Sequence, residues 1–154
     1  MQKPEFVVER AQANEKDFCD VFELMLALYR EEGYVQLDPA EAAKVIYCTL
    51  NENMTFVARL VSGEAIGALP MTELPYWYST ETMLQSIGFY VRPEHRRGRV
   101  GVALLRAARD EGNARDKITY VTIHNPDRRP KRTRTSIESQ TLGFVPLGHT
   151  LKLR

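Results

Sequence analysis

The sequence predicts a layered α/β (α+β) domain with a mixed central sheet. Strand-like and helix-like segments follow one another in the order β-α-α-β-β-β-α-β-α-β, and the breaks between them are short turns bearing Pro or Gly. No repeat and no linker interrupts the 154 residues, which suits a single domain over 1–154 with one core. A hydrophobic fraction of 44% beside 27% charged residues is that of a folded globular chain and argues against disorder. No stretch approaches the roughly 18 uninterrupted apolar residues of a membrane-spanning helix. Met1-Gln2-Lys3-Pro4-Glu5 lacks an apolar signal core, so the expected location is the cytoplasm.

Each element has a local reason. Glu5-Phe6-Val7-Val8-Glu9 reads as a short first strand. Asn14 suits a helix N-cap, with Asp17 at the third helical position, where a carboxylate complements the helix dipole. From there Phe18, Val21, Phe22, Met25, Leu28 and Tyr29 recur at threes and fours, one apolar face of a helix ending near Gly33. Asp38 caps a second helix with Pro39 at its first position, running through Ala42, Val45 and Ile46 to about Asn51. Residues 55–61 and 65–69 flank Ser62-Gly63-Glu64 as a hairpin. Pro70 to Thr80 reads as a loop carrying Tyr76-Trp77-Tyr78. Met83 to Val91 is a longer strand, Val100 to Glu111 a helix, Lys117 to His124 a strand and Arg132 to Leu142 a helix. Gly143-Phe144 opens a short terminal strand or hairpin.

Cys19 and Cys48 are too few for a disulfide scaffold or a four-cysteine zinc site, and their apolar contexts predict buried, reduced thiols. The net charge of +1 hides a division. Residues 1–90 carry 6 Lys/Arg against 14 Asp/Glu, a net of −8, and residues 91–154 carry 15 against 6, a net of +9. The second half is suited to an anion and the first to a cation, the alternative being a solvated charge distribution with no partner.

The turn at 92–101 decides between them. Pro93 ends the preceding strand, because it has no N–H for a ladder. Gly98 and Gly101 permit close approach of backbone to a ligand, and the helix that follows begins with unpartnered N–H groups, an anion site. Arg92, Arg96, Arg97 and Arg99 crowd the same turn, although each exposed cation opposes a helix N-terminus by about 0.3–1 kcal/mol. Bound phosphates would reverse that sign. Neither Gly-x4-Gly-Lys-Ser/Thr nor Gly-x-Gly-x-x-Gly is present, which argues against a P-loop NTPase and a dinucleotide fold.

Instead Val91-x-Pro93-x-x-Arg96-Arg97-Gly98-x-Val100-Gly101-x-x-Leu104-Leu105 resembles the acetyl-CoA-binding motif of the GNAT superfamily of N-acetyltransferases, which usually reads V-x-P-x-x-[RQ]-G-x-G-[IVL]-[GA]-x-x-L-L. It departs at Arg97 and Arg99, where glycine is common, although position 99 need supply only its backbone N–H. Leu142-Gly143-Phe144 looks like the family's late L-G-F, and the element order matches along nearly the whole chain. The resemblance implies a sheet of about six to seven strands, a splay between the fourth and fifth, and about four flanking helices. It implies acetyl-CoA (coenzyme A) as cofactor, with the pantetheine arm in the splay. Gly88 would suit the bulge that opens it. Phe89, Tyr90 and Val91 would then contact pantetheine, and Arg96, Arg97, Gly98, Arg99, Val100, Gly101 and Val102 the pyrophosphate. The arrangement also bears a faint resemblance to GNAT proteins of bacterial prophages and phages.

Acetyl transfer needs a neutral amine held near the thioester. Lysine-like amines have a pKa of about 10.4, so a base or the binding itself must remove a proton, while positioning supplies roughly 7–11 kcal/mol. The family's frequent tyrosine acid, four residues before the late Gly-Phe, corresponds to Ser139, and its frequent glutamate near the start of the fourth strand corresponds to Gln85, which cannot act as a base. Ser139 and His124, the latter at the end of the fifth strand, are therefore the catalytic candidates, the structural alternative for His124 being a hydrogen-bonded histidine. His95 lies in the phosphate turn; Glu31, Glu32 and Asp38 flank a loop that borders the acceptor site in the family, where they would attract a cationic amine, the alternative being exposed helix-end carboxylates. Glu73 and Glu81 border the Tyr76-Trp77-Tyr78 loop, whose aromatics offer an acceptor-pocket wall or a dimer contact, the alternative being ordinary partial burial. Arg128-Arg129-Pro130-Lys131-Arg132-Thr133-Arg134 holds five cations in seven residues; in the family this stretch starts the helix that borders the coenzyme groove, the alternatives being a solvated loop or a nucleic-acid patch, which lacks the interleaved aromatics that stacking on bases needs.

The expected activity is direct transfer of acetyl from acetyl-CoA to a primary amine of a small molecule or protein, since no cysteine is placed for a covalent intermediate. The alternatives are a coenzyme-binding protein of this fold without turnover and, less well supported, a nucleic-acid-binding protein. An edge strand near the C-terminus offers pairing into a homodimer.

Overall fold

Capping residues set the element boundaries in the computed structural model, which describes residues 5–33, 35–123, 140–145 and 147. The Asn14 side chain accepts from the Asp17 N–H at 2.8 Å and starts α1 (Glu15–Glu32). Asp38 accepts from the N–H groups of Ala40 and Glu41 and starts α2 (Pro39–Asn51). Gly33 ends α1 at φ −54, not in the left-handed region; a Cβ there would lie 2.6 Å from the Tyr29 ring and carbonyl, so close approach is what requires glycine.

The remaining elements are β1 (Phe6–Arg10), β2 (Thr55–Leu60), β3 (Ala65–Pro75), β4 (Thr82–Ser86), β5 (Tyr90–Val91), α3 (Val100–Arg115) and β6 (Thr119–Tyr120). The sheet order is β1-β2-β3-β4-β6, with β5 paired to β3. All pairings are antiparallel except the parallel β4–β6 pair, so the sheet is mixed. Side-chain alternation gives it two apolar faces. Phe56, Ala58, Leu84 and Val91 pack with Val100, Leu104 and Ala108 of α3, whereas Val57, Ala68 and Tyr90 pack with Val21 and Leu24 of α1 and Ile46 and Leu50 of α2.

Four expectations change. The segment from Pro70 is strand rather than loop, because β3 continues to Pro75. The Pro70 carbonyl accepts from the Ile87 N–H at 2.8 Å; the N and O of a strand residue face the same edge, so the missing donor falls where the neighbouring strand is already interrupted. The strand expected over 83–91 is two pieces, β4 and β5. Helix α3 runs past Glu111 to Arg115, since Gly112 is there for contact rather than as a stop: its Cβ would lie 2.0 Å from Thr119 Oγ1. Both cysteines are exposed, not buried. Their apolar neighbours in sequence point elsewhere, one step being about 100° around a helix.

Gln140 and Thr141 are helical and Gly143 turns at φ 91, where the sequence ends its last helix. The rest of that helix, the terminal strand, the basic run at 128–134, His124 and Ser139 lie outside the described residues.

A buried cation ties β2 to α1. Arg59 binds Glu9 at 2.8 Å, Asp17 at 2.5 Å and Asp20 at 2.6 Å, and donates to the Gly63 carbonyl. Burial alone would raise the Asp20 pKa; Arg59 and Lys16 outweigh it and hold the carboxyl below its usual 3.8. A depressed carboxylate pKa adds stability that is present above the unfolded value and lost as pH falls through the folded one. Arg59→Met is therefore expected to destabilise the fold by about 3 kcal/mol at neutral pH in urea denaturation. The same variant should lose less further stability than the parent on acidification below about pH 4.

Candidate functional site

The site begins with one surplus residue. Met71 pairs with Ser86 and Ala68 with Tyr90, so three steps along β3 oppose four along the neighbouring strand. The excess, Ile87-Gly88-Phe89, is a β-bulge, as the glycine predicts. A Cβ on Gly88 would lie 2.6 Å from Met25 Sδ and 3.0 Å from Leu28 Cδ2, so α1 presses directly on the bulge.

Beyond the bulge the sheet opens. β6 pairs with β4 at Leu84–Thr119 and Gln85–Tyr120, but β5 pairs only with β3 among the described residues. The next amide on the β6 side, Thr122 N–H, is met by the Ser86 hydroxyl at 3.0 Å instead of by backbone. This is why the strand expected over 117–124 is reduced to Thr119–Tyr120. Arg92 N–H donates to the Ile66 carbonyl, so by antiparallel alternation the N–H of Val91 points to the opposite edge, into the splay. An extended chain laid there would find a strand-like donor.

The splay leads into the arginine turn. Pro93–His95 form a 3-10 turn, and Arg96 and Gly98 N–H groups continue it by bonding to the Pro93 and His95 carbonyls. α3 has no side-chain N-cap and no acidic residue in its first turn. The first helical bond is Ala103 N–H to the Arg99 carbonyl, so the N–H groups of Val100, Gly101 and Val102 have no acceptor within the helix. A Cβ on Gly98 would meet only the His95 carbonyl, at 3.4 Å. Gly67 brings this start close to the sheet: its Cβ would lie 3.1 Å from both the Tyr90 carbonyl and Leu104 Cδ1.

The four arginines divide into two pairs. Arg97 and Arg99 are exposed at the helix start. Arg92 Nε donates to the Ala65 carbonyl, and Arg96 turns inward. Arg96 donates from Nε to the Val91 carbonyl at 2.8 Å, pairs with Glu31 at 2.6 Å and lies 5.2 Å from the Tyr90 ring centroid. The Tyr90 hydroxyl reaches the same Glu31 oxygen at 3.2 Å; burial first, then the Glu31 charge, raises its pKa. The Tyr90 ring is thus taken up on the α1 side, and by the same alternation its N–H and carbonyl face β3 rather than the splay. Glu31, noted in the sequence only as a loop-flanking acid, is the partner that clasps the turn to α1.

A cavity of about 430 Å³ lies between α1 and α2, and Ile87 of the bulge forms part of its wall. Asp38 is occupied as a cap, and Glu73 is held below the usual carboxylate range by the Thr82 hydroxyl and Lys117. Gln85 sits in β4 opposite Thr72 and Tyr120. His95 is half-buried in the turn. Tyr76-Trp77-Tyr78 is the tip of the β3–β4 hairpin, with Trp77 94% exposed; a hydrogen bond with Tyr120 leads the causes that push the Tyr76 phenol up to about 12. No cluster of metal-binding side chains occurs among the described residues, and no described helix is long and apolar enough to cross a membrane.

The model of the acetyltransferase (GNAT) family matches residues 20–130. The fold is shared with the aminoglycoside N-acetyltransferase AAC(6')-Iy in complex with CoA, at a TM-score of 0.71 and 16% identity over 99% of this chain and 96% of that one. It is shared with an aminoglycoside acetyltransferase from an uncultured soil metagenomic sample (TM-score 0.63, 18% identity, 97% and 93% covered). A ribosomal-protein-alanine N-acetyltransferase from Brucella melitensis biovar Abortus 2308 is similar to the same degree (TM-score 0.63, 15% identity, 97% and 99% covered). At these identities the likeness is one of fold. No curated protein matches the chain.

The Arg96–Glu31 pair is partly exposed, so Glu31→Gln is expected to cost the fold no more than about 1 kcal/mol. Its local effect should be larger. Amide hydrogen exchange across residues 91–99 should accelerate while exchange in β1 and β2 stays unchanged.

Proposed function

The chain belongs to the acetyltransferase (GNAT) family, and from that premise we propose that it binds acetyl-CoA and transfers the acetyl group to a primary amine directly, in a ternary complex. What supports this most is the continuity of the bulge-opened splay with an arginine turn and an uncapped helix start. The donor set fits the coenzyme. Val91 N–H, with Phe89 and Tyr90 beside it, suits the amide-rich pantetheine arm; the N–H groups of Val100, Gly101 and Val102, with Arg97 and Arg99, suit the pyrophosphate. Arg96 acts through its clasp on Glu31, holding the turn that presents Gly98 and those amides.

When bound, acetyl-CoA supplies a thioester acyl group, whose exchange of a C–S for a C–N bond requires one proton to leave the amine and one to reach the sulfur. We assign that proton traffic to His124 and Ser139 from their sequence positions, since the Gln85 amide is not basic enough to accept a proton at neutral pH. Cys19 and Cys48 lie on exposed helix faces, which favours direct transfer over a covalent cysteine intermediate. A coenzyme-binding protein without turnover is the second reading, favoured by Gln85 and Ser139; release of free thiol on amine addition separates the two.

Calorimetric titration with acetyl-CoA tests the proposal, and absence of binding at millimolar coenzyme would overturn it. Gly98→Ala should leave stability within about 0.5 kcal/mol, because the one added carbon meets only the His95 carbonyl, at 3.4 Å. The same change should weaken acetyl-CoA about tenfold or more, equivalent to about 1.4 kcal/mol.

A further inference from the structure

We propose that the cavity between α1 and α2 seats the body of the acceptor, and that the acceptor is a primary amine carried on a single apolar group of aryl-alkyl size. This rests on the acetyl-transfer reading and names its substrate class. At about 430 Å³ the cavity is of small-molecule size. Met25, Leu28, Leu37, Val45 and Ile87 line it, leaving Glu32 and Glu41 as its carboxylates. Ile87 belongs to the bulge, and Met25 and Leu28 are the side chains pressed against Gly88, so one end of the cavity is the wall that opens the splay. A ligand bedded there lies beside the place where an extended coenzyme arm would run.

Charge sets the sign of the ligand. Residues 15–51, the two helices and their loop, carry eight acidic and three basic side chains; Asp17 and Asp20 are paired with Arg59 and Glu31 with Arg96, which leaves Glu32 and Glu41 as the carboxylates at the cavity. The Glu41 side chain is 67% exposed and pairs at 3.9 Å with the equally exposed Lys44, a weak surface contact that an arriving cation can displace. The apolar walls set its body. A hydroxyl-rich polycationic sugar would lose water from many polar groups against Met, Leu, Val and Ile without finding hydrogen-bond partners. An aryl-alkyl amine loses only apolar hydration, and burial of its nitrogen favours the neutral, nucleophilic form.

The test compares 2-phenylethylamine with kanamycin as acceptors, following thiol release, and measures the affinity of each for the protein alone by calorimetry. Phenylethylamine should be preferred in kcat/KM by about tenfold or more. Val45→Arg and Ala42→Phe, which charge or fill the cavity from α2, should each weaken phenylethylamine about tenfold while leaving acetyl-CoA affinity unchanged. Preference for kanamycin, or amine affinity indifferent to both substitutions, would overturn the assignment. Amine binding sensitive to both variants in a protein that fails to bind acetyl-CoA would sustain the cavity and defeat the transfer reading.

Discussion

One extra residue between Ser86 and Tyr90 governs the working half of the molecule. A strand that must match β3 on one side cannot absorb a surplus residue and still hold its other neighbour, so β6 is paired up to the bulge and released after it. The release leaves a backbone edge facing open space between two strands that remain in one sheet. Gly88 makes the bulge compatible with a helix pressed on top, since α1 occupies the volume that any side chain would need. Opening the sheet and shaping the apolar cavity are thus one steric event seen from two sides.

The arginine turn shows how a cluster of like charges divides its work. Arg92 and Arg96 are consumed by carbonyls, by Glu31 and by the Tyr90 ring, and they build the loop. Arg97 and Arg99 stay outside at the start of a helix that carries no acid in its first turn. Gly67 then lets Leu104 and Val100 approach β3 closely where it pairs with β5, so the free amides of α3 begin beside the end of the splay.

Much of this was legible locally. Asn14, Asp38 and Pro39 act within one helical turn, so their signals survive without tertiary context, and a glycine inside an apolar strand pointed to the bulge. Pro70 misled because the cost of a missing N–H depends on which edge it faces, a property of the sheet. The end of α3 expected at Glu111 fell short for a similar reason, since Gly112 is placed by its contact with Thr119 on a neighbouring strand. Glu31 was read as a loop-flanking carboxylate, for a cationic amine or for solvent, because its partner Arg96 lies 65 residues away, and the cavity was invisible because its walls come from two helices and a bulge. The catalytic assignments, His124 and Ser139, rest on sequence alone.

The outward placement of Cys19 and Cys48 has a bearing on self-association. Surface thiols can be oxidised between copies of the chain, by exchange or by direct oxidation. Covalently linked dimers and higher species formed in air would then imitate a subunit interface at the sheet edge. Reductant, or serine at both positions, separates that artefact from genuine strand pairing.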